Sequence, residues 1–209
     1  MVCLVDDRKY LWRKLTQEQR KQLLTWRRQE GRPWHSPPRS SDSAGQFHLT
    51  AACFEHAPII GSSAARIDSF TQELLAVLDS YASETFAWCV LPNHYHALIE
   101  TLALDTLVLH LGRLHGRSSY LWNGEDHRRG RKCFYRAADR AIRSEEHFYA
   151  TLNYVHHNAV HHGYVDDWNQ WPWSSAPEYL KNVGRAEAER IWREYPILDY
   201  GKGWDDRDW

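Results

Sequence analysis

The sequence predicts an α+β fold in which helices cover one four-stranded antiparallel sheet. Three observations lead there. Short apolar stretches of strand length alternate with longer amphipathic stretches; Pro, Gly and Ser separate them; and their order reads β-α-β-β-α-β-α. That order fits a ferredoxin-like topology. At 209 residues, 43% of them hydrophobic, the chain is large enough to bury a substantial core and has a globular rather than a disordered composition.

The elements follow along the chain. "TQEQRKQLLTWRRQ" (16–29) reads as a helix, stopped by the Pro, Gly and Ser of "EGRPWHSPPRSSDSAGQ", a linker. "FHLTAACFE" reads as a strand, and "ARIDSFTQELLAVLDSYA" (65–82) as an amphipathic helix burying Ile67, Phe70, Leu74, Leu75 and Leu78. "FAWCVL" and "HYHALIE" are strands separated by "PN", where Pro92 marks a bend. "DTLVLHLGRLHGRS" (105–118) suggests a second helix, weakened by Gly112 and Gly116. "KCFYRAA" is a candidate strand. "SEEHFYATLNYVHHNAVHHG" has a serine cap, early glutamates and a terminal Gly163, which together predict a helix from about 145 to 162. Three segments result: a basic N-terminal helix and linker (1–45), the main domain (46–180), and a C-terminal helix and tail (181–209).

No run approaches membrane-spanning length, and "MVCLVDDRKYLWRK" carries charge where a secretory signal needs an apolar core, so a cytoplasmic location is expected. Cys3, Cys53, Cys89 and Cys133 are widely spaced and are read as reduced thiols. The formal net charge is -1, but it is segregated. Residues 8–39 carry ten Lys or Arg against two Glu, residues 40–127 three against ten acidic groups, and residues 128–143 seven against Asp139. Two basic segments thus flank a more acidic body, and local patches of this kind attract phosphate backbones even when the total charge does not.

Chemistry concentrates in two places. In "CVLPNHYHALIE" (89–100), strand alternation puts His94 and His96 on one face and Tyr95, Ala97 and Ile99 on the other. Two imidazoles can ligate a borderline metal but do not complete a site. The helix at 145–162 presents Tyr154, His157, Asn158 and His161, whose spacings of three, four and seven residues bring them to or near one face. His157 points about 60° away from Tyr154 on the helical wheel, which makes it a secondary proton acceptor or phosphate contact. His48 and His56 are open to surface roles.

"LPNHYHALIE" resembles the histidine-hydrophobe-histidine strand of the HUH single-tyrosine transposases. "LNYVHHNAVHHGYV" resembles the tyrosine helix of their REP-associated branch, and "WPWSS" (171–175) is also similar to that branch. The motifs occur in the expected order over most of residues 46–180. The resemblance implies an HUH endonuclease-type fold and DNA-strand cleavage by a tyrosine hydroxyl, which leaves a 5'-phosphotyrosine link and a free 3'-hydroxyl. It implies His94 and His96 as metal-binding pair, Tyr154 as nucleophile and Asn158 as polar third ligand. The substrate it implies is single-stranded DNA beside palindromic hairpins, and the state a monomer with its tyrosine in cis. Ala159 stands where the branch has proline and His161 where it has lysine, so a fixed positive charge is replaced by a candidate substrate contact.

The chemistry is coherent on its own terms. Forming a phenolate at pH 7 from a hydroxyl of pKa about 10 costs roughly 4 kcal/mol unless the site helps. A divalent ion polarises and orients the phosphate while a base or water accepts the proton. Mg²⁺ prefers oxygen donors and Mn²⁺ accepts mixed nitrogen and oxygen, so Mg²⁺ or Mn²⁺ is expected. For the DNA, Arg128, Arg129, Arg131, Lys132 and Arg136, with Arg140 and Arg143 beyond, offer phosphate contacts, and Tyr135 an aromatic surface for unpaired bases. The N-terminal basic helix is a second DNA contact or a packing accessory. Competing readings are a hairpin-DNA-binding protein whose chemistry has decayed and a metal phosphoesterase using water. The ending "REYPILDYGKGWDDRDW" carries five acidic residues from Glu194 onward against Lys202 and Arg207, and Asp205, Asp206 and Asp208 are expected to restrain nonspecific DNA binding, with Trp204 or Trp209 packed beside them.

Overall fold

The computed structural model describes residues 44–197, together with Thr16, Glu18, Gln19, Lys21, Gln22 and Thr25. The chain divides into two compact units, Met1–Arg39 and Ser40–Trp209. In the first, the described residues from Glu18 to Thr25 are helical. Their start is a reciprocal cap: the Gln19 N–H donates to Thr16 Oγ1 (3.2 Å) and the Thr16 N–H donates to Gln19 Oε1 (2.9 Å). The rest of the expected helix, the linker and the acidic ending with Asp205, Asp206 and Asp208 lie outside the described residues.

The second unit runs β1 (Gly45–Ala52), α1 (Ala64–Tyr81), β2 (Glu84–Val90), β3 (His94–Thr101), α2 (Leu104–Glu125), β4 (Ala138–Ala141), α3 (Glu145–His161), α4 (Ala176–Val183) and α5 (Arg185–Glu194). The sheet order is β2-β3-β1-β4 with every pairing antiparallel, the arrangement expected of a ferredoxin-like α+β fold. Both faces of the sheet are covered. On one, Phe47, Leu49, Ala51, Tyr95, Ala97 and Ile99 meet α1 and α2, whose Phe70, Leu74, Leu107 and Leu111 are fully buried. Each such side chain contributes about 1.5–3 kcal/mol by leaving water. On the other lie His48, Thr50, His94, His96 and Leu98, fixed there by the register that sets Ala52 opposite His94 and Thr50 opposite His96.

Two elements differ from expectation. The second helix continues to Glu125 rather than ending near residue 118. Gly112 and Gly116 sit where an added Cβ would meet nothing, while Leu107, Leu111, Leu114 and Trp122 are buried along the helix, so packing outweighs the poor helical propensity of glycine. The fourth strand begins only at Ala138, the last residue of "KCFYRAA", and runs on to Ala141. Cys133 and Phe134 are both buried, and Phe134 makes only an isolated bridge to Cys53, so the regular pairing with β1 starts later, at Thr50 opposite Ala138.

Four local devices hold the site face in place. Ser144 caps α3, its Oγ accepting the His147 N–H at 3.1 Å. At the other end Gly163 takes φ +72°, and the Gly163 and Tyr164 N–H groups donate to Val160 and Ala159, closing the helix one turn after Asn158. "WPWSS" is a strap along β2: the Val90 N–H donates to Trp173 O (2.8 Å), the Ser175 N–H to Trp88 O (3.0 Å) and Trp171 Nε1 to Val90 O (2.8 Å). The "PN" turn is held from below by Gly61, whose N–H donates to Pro92 O at 3.0 Å. A Cβ on Gly61 would lie 2.4 Å from Pro92 Cβ, so only glycine permits this approach.

Candidate active site

Four polar side chains of β1, β3 and α3 converge with Tyr154 between sheet and helix. His48, His94, His96, Tyr154 and Asn158 are all buried. The Tyr154 ring stands edge-on to His96, with centroids 5.1 Å apart, and to His48 at 5.8 Å. His94 Nε2 is 3.0 Å from Asn158 Oδ1, and the His94 and His96 rings are 5.0 Å apart. The structure therefore brings together His94 and His96 of β3 with Tyr154 and Asn158 of α3, two elements far apart in the sequence.

The donor chemistry suits a divalent ion. His94 Nδ1 lies 2.7 Å from Asn93 Oδ1 and its Nε2 3.0 Å from Asn158 Oδ1, so the tautomer with its proton on Nδ1 turns the Nε2 lone pair toward Asn158. In that tautomer two lone pairs face each other at 3.0 Å. Turning the amide relieves this by aiming Nδ2, which is buried and has no hydrogen-bond partner among the described residues, at the ring. A cation between the two atoms relieves it as well. Adjacent donors of an octahedral ion with bonds of about 2.1 Å are separated by about 3.0 Å, so the His94–Asn158 edge has the right length. No group of three or more His, Cys, Asp or Glu able to hold a metal occurs among the described residues; beside the two histidines the polar side chain at hand is the Asn158 amide.

The other residues singled out in the sequence are dispersed. His157 turns away toward α5, its ring 4.8 Å from Trp192, and burial lowers its pKa, with His161 adding to the effect. His161 stacks edge-on against His162, and it is His162 whose ring lies 4.8 Å from His94. Arg131 is engaged in structure: it donates to Asp126 Oδ2 (2.6 Å) and Asn123 Oδ1 (2.9 Å). Asp126 also takes a two-pronged contact from Arg66, at 2.7 and 3.1 Å. These guanidinium hydrogen bonds, Arg66 first, hold the Asp126 carboxyl well below the usual carboxylate range. Arg129 lies over the Tyr120 ring and Lys132 over Phe54 and Tyr135. Arg128 and Arg136 are exposed. The Tyr135 N–H donates to Ala52 O (2.9 Å), and Ala52 pairs with His94, so this basic segment passes the His94 end of the sheet. Arg140 pairs with His48 across β1 and β4 and therefore shares the site face.

Sequence reasoning left His48, His56 and His162 aside. His48 Nε2 is 3.0 Å from His96 Nδ1. The His56 ring comes within 6.4 Å of His94, on a turn where Glu55 and His56 both take positive φ (57° and 47°), a conformation that costs of order 1 kcal/mol or more per residue. The signal for His48 was its place with Thr50 on the face of "FHLTAA" opposite Phe47, Leu49 and Ala51; its meaning depended on pairing with a strand 48 residues away in sequence.

The sheet order and the polar face between β3 and α3 define a ferredoxin-like fold with a tyrosine, two histidines and an amide brought together on one face. No protein-family model matches the chain. It is distantly similar, in sequence and in fold, to REP-associated tyrosine transposases of the HUH group. A Haemophilus influenzae protein bearing that name is 26% identical over 119 residues, 52% of this chain and 68% of the relative. The solved structure of a REP-associated tyrosine transposase bound to a REP hairpin matches the fold with a TM-score of 0.57 at 17% identity, over 74% of this chain and 90% of that one. No helix among the described residues is long and apolar enough to cross a membrane.

Proposed function

We propose that this chain is a metal-dependent, single-tyrosine DNA endonuclease and strand-transfer enzyme that acts on single-stranded DNA beside palindromic hairpins, as a cytoplasmic monomer. The observation that carries the reading is the juxtaposition of the Tyr154 ring with His96, beside a His94–Asn158 pair whose separation fits neighbouring metal ligands. Tyr154 Oη attacks the scissile phosphorus; its proton passes to water or a nearby base. The bond from phosphorus to the 3'-oxygen breaks, that oxygen takes up a proton, and the 5' side remains on Tyr154 as a phosphodiester. Rejoining reverses these steps with a new 3'-hydroxyl. His94, His96 and Asn158 would hold Mg²⁺ or Mn²⁺, which when bound would polarise the phosphate. Exposed Arg128, Arg129, Lys132 and Arg136 contact the DNA backbone, while Arg131 shapes the loop that presents them.

The test is a denaturing gel after incubating the protein with Mn²⁺ and labelled single-stranded hairpin DNA. A covalent adduct that disappears in Tyr154→Phe is expected. Cleavage without adduct would establish a water-using phosphoesterase instead, and a mobility shift without cleavage a hairpin-binding protein whose chemistry has decayed.

A further inference from the structure

We propose that His48 is the positioning residue for His96: it accepts the Nδ1 proton of that ring and so keeps Nε2 turned toward the metal position. The inference rests on the metal-dependent reading above. Its starting point is an equivalence between the two histidines of β3. His94 has its Nδ1 engaged by Asn93 Oδ1 at 2.7 Å, and His96 has its Nδ1 engaged by His48 Nε2 at 3.0 Å. In both rings Nδ1 meets a neighbour from the sheet side, while the Nε2 of His94 faces Asn158 of α3. An imidazole whose Nδ1–H is held by an acceptor has a fixed tautomer, a fixed orientation and a more basic Nε2, which is what ligation demands.

His48 is built to do this. It sits in the middle of β1, opposite Leu98, so both strands of the contact are anchored by the sheet ladder. Its ring is buried, tilted 33° to that of His96 and edge-on to Tyr154. A single ring thus braces one metal-binding histidine and the tyrosine, and ties the spacing of the two to the β1–β3 register.

The experiment measures Mn²⁺ binding to the full chain by electron paramagnetic resonance, with pulsed measurements that count coordinated imidazoles, for wild type, His48→Leu and His48→Gln. Wild type should show two imidazoles. His48→Leu keeps apolar volume but removes the acceptor, and should weaken Mn²⁺ binding about 10–100-fold, with adduct formation restored by raising Mn²⁺. His48→Gln keeps an acceptor oxygen and should stay within about threefold of wild type. Undiminished affinity in folded His48→Leu, or equal losses in both variants, overturns the proposal. Three imidazoles in wild type also overturn it, by making His48 a ligand; this outcome is read without any variant having to fold. Wild-type protein that takes up no Mn²⁺ overturns the parent reading and this one with it.

Discussion

Strand β3 carries two tyrosine–histidine encounters one residue apart, and they serve opposite ends. On the α1/α2 face, Tyr95 Oη lies 3.1 Å from His115 Nε2, with Phe134 stacked on the imidazole and Phe70 beside the tyrosine. Burial raises the Tyr95 pKa well above its ordinary value and lowers that of His115 to about 4, so both are neutral at pH 7. The pair is a satisfied polar contact in an apolar core. On the α3 face, His96 meets Tyr154 in the company of His48, His94 and Asn158. Residue type does not separate the two; the helix laid over each face does. α2 brings Leu107, Leu111 and Leu114, whereas α3 brings Tyr154 and Asn158.

The sharpest way to break this comparison is to remove one hydroxyl from each face. Tyr154→Phe is expected to lower adduct formation by at least about 10³-fold with little change in stability or hairpin affinity, since it deletes the nucleophile and keeps the ring. Tyr95→Phe should leave the adduct yield intact and cost about 1–2 kcal/mol in urea unfolding, because His115 loses its partner. Equal effects of the two variants on adduct yield would erase the distinction.

Next in size is the metal. Replacing His94 and His96 together by Ala should abolish Mn²⁺ binding in titration calorimetry, while Asn158→Ala should weaken it less, because water can replace one neutral oxygen donor. An unchanged Mn²⁺ affinity in the folded double variant would remove the ion from this face.

The buried histidines away from the site predict acid sensitivity. His115 has its pKa lowered by burial from 6.5 to about 4, and His156, whose Nε2 lies 3.0 Å from Ser175 Oγ, to about 3. Below pH 6.5 the unfolded chain takes up protons that the folded protein refuses, so stability is full above 6.5 and falls as the pH drops toward 4, by up to about 1.4 kcal/mol per unit for each histidine. Asp126 extends the loss below the ordinary carboxylate range, since its folded pKa is depressed. Urea unfolding between pH 7 and 4 checks the slope, and His115→Gln should flatten it.

The smallest expected effect tests the turn that carries His94. Gly61→Ala forces Pro92 away by steric contact and should cost about 1–3 kcal/mol, with Mn²⁺ affinity lowered more than stability alone accounts for. A variant as stable and as tight for Mn²⁺ as wild type would show that the "PN" turn is not held by this approach.

What the sequence by itself determined is whatever depends on neighbours a few residues apart. Strand alternation put His94 and His96 on one face; helical periodicity put Asn158 one turn after Tyr154; Ser144 and Gly163 marked the ends of α3. The order of elements was legible for the same reason. The tertiary structure decided what depends on partners distant in the chain. The β1–β3 register turned His48 from a surface candidate into a buried neighbour of His96. The packing of α5 drew His157 toward Trp192, and the closing turn of α3 set His162, not His161, beside His94. Asp126 claimed Arg131 out of a basic run that looked uniform, and "WPWSS" became a strap on β2 through hydrogen bonds some 80 residues apart. Periodicity is a property of the local backbone and can be read from composition and spacing. Register, strap and ion pair are choices among many side chains of the same type, and only the folded arrangement makes them.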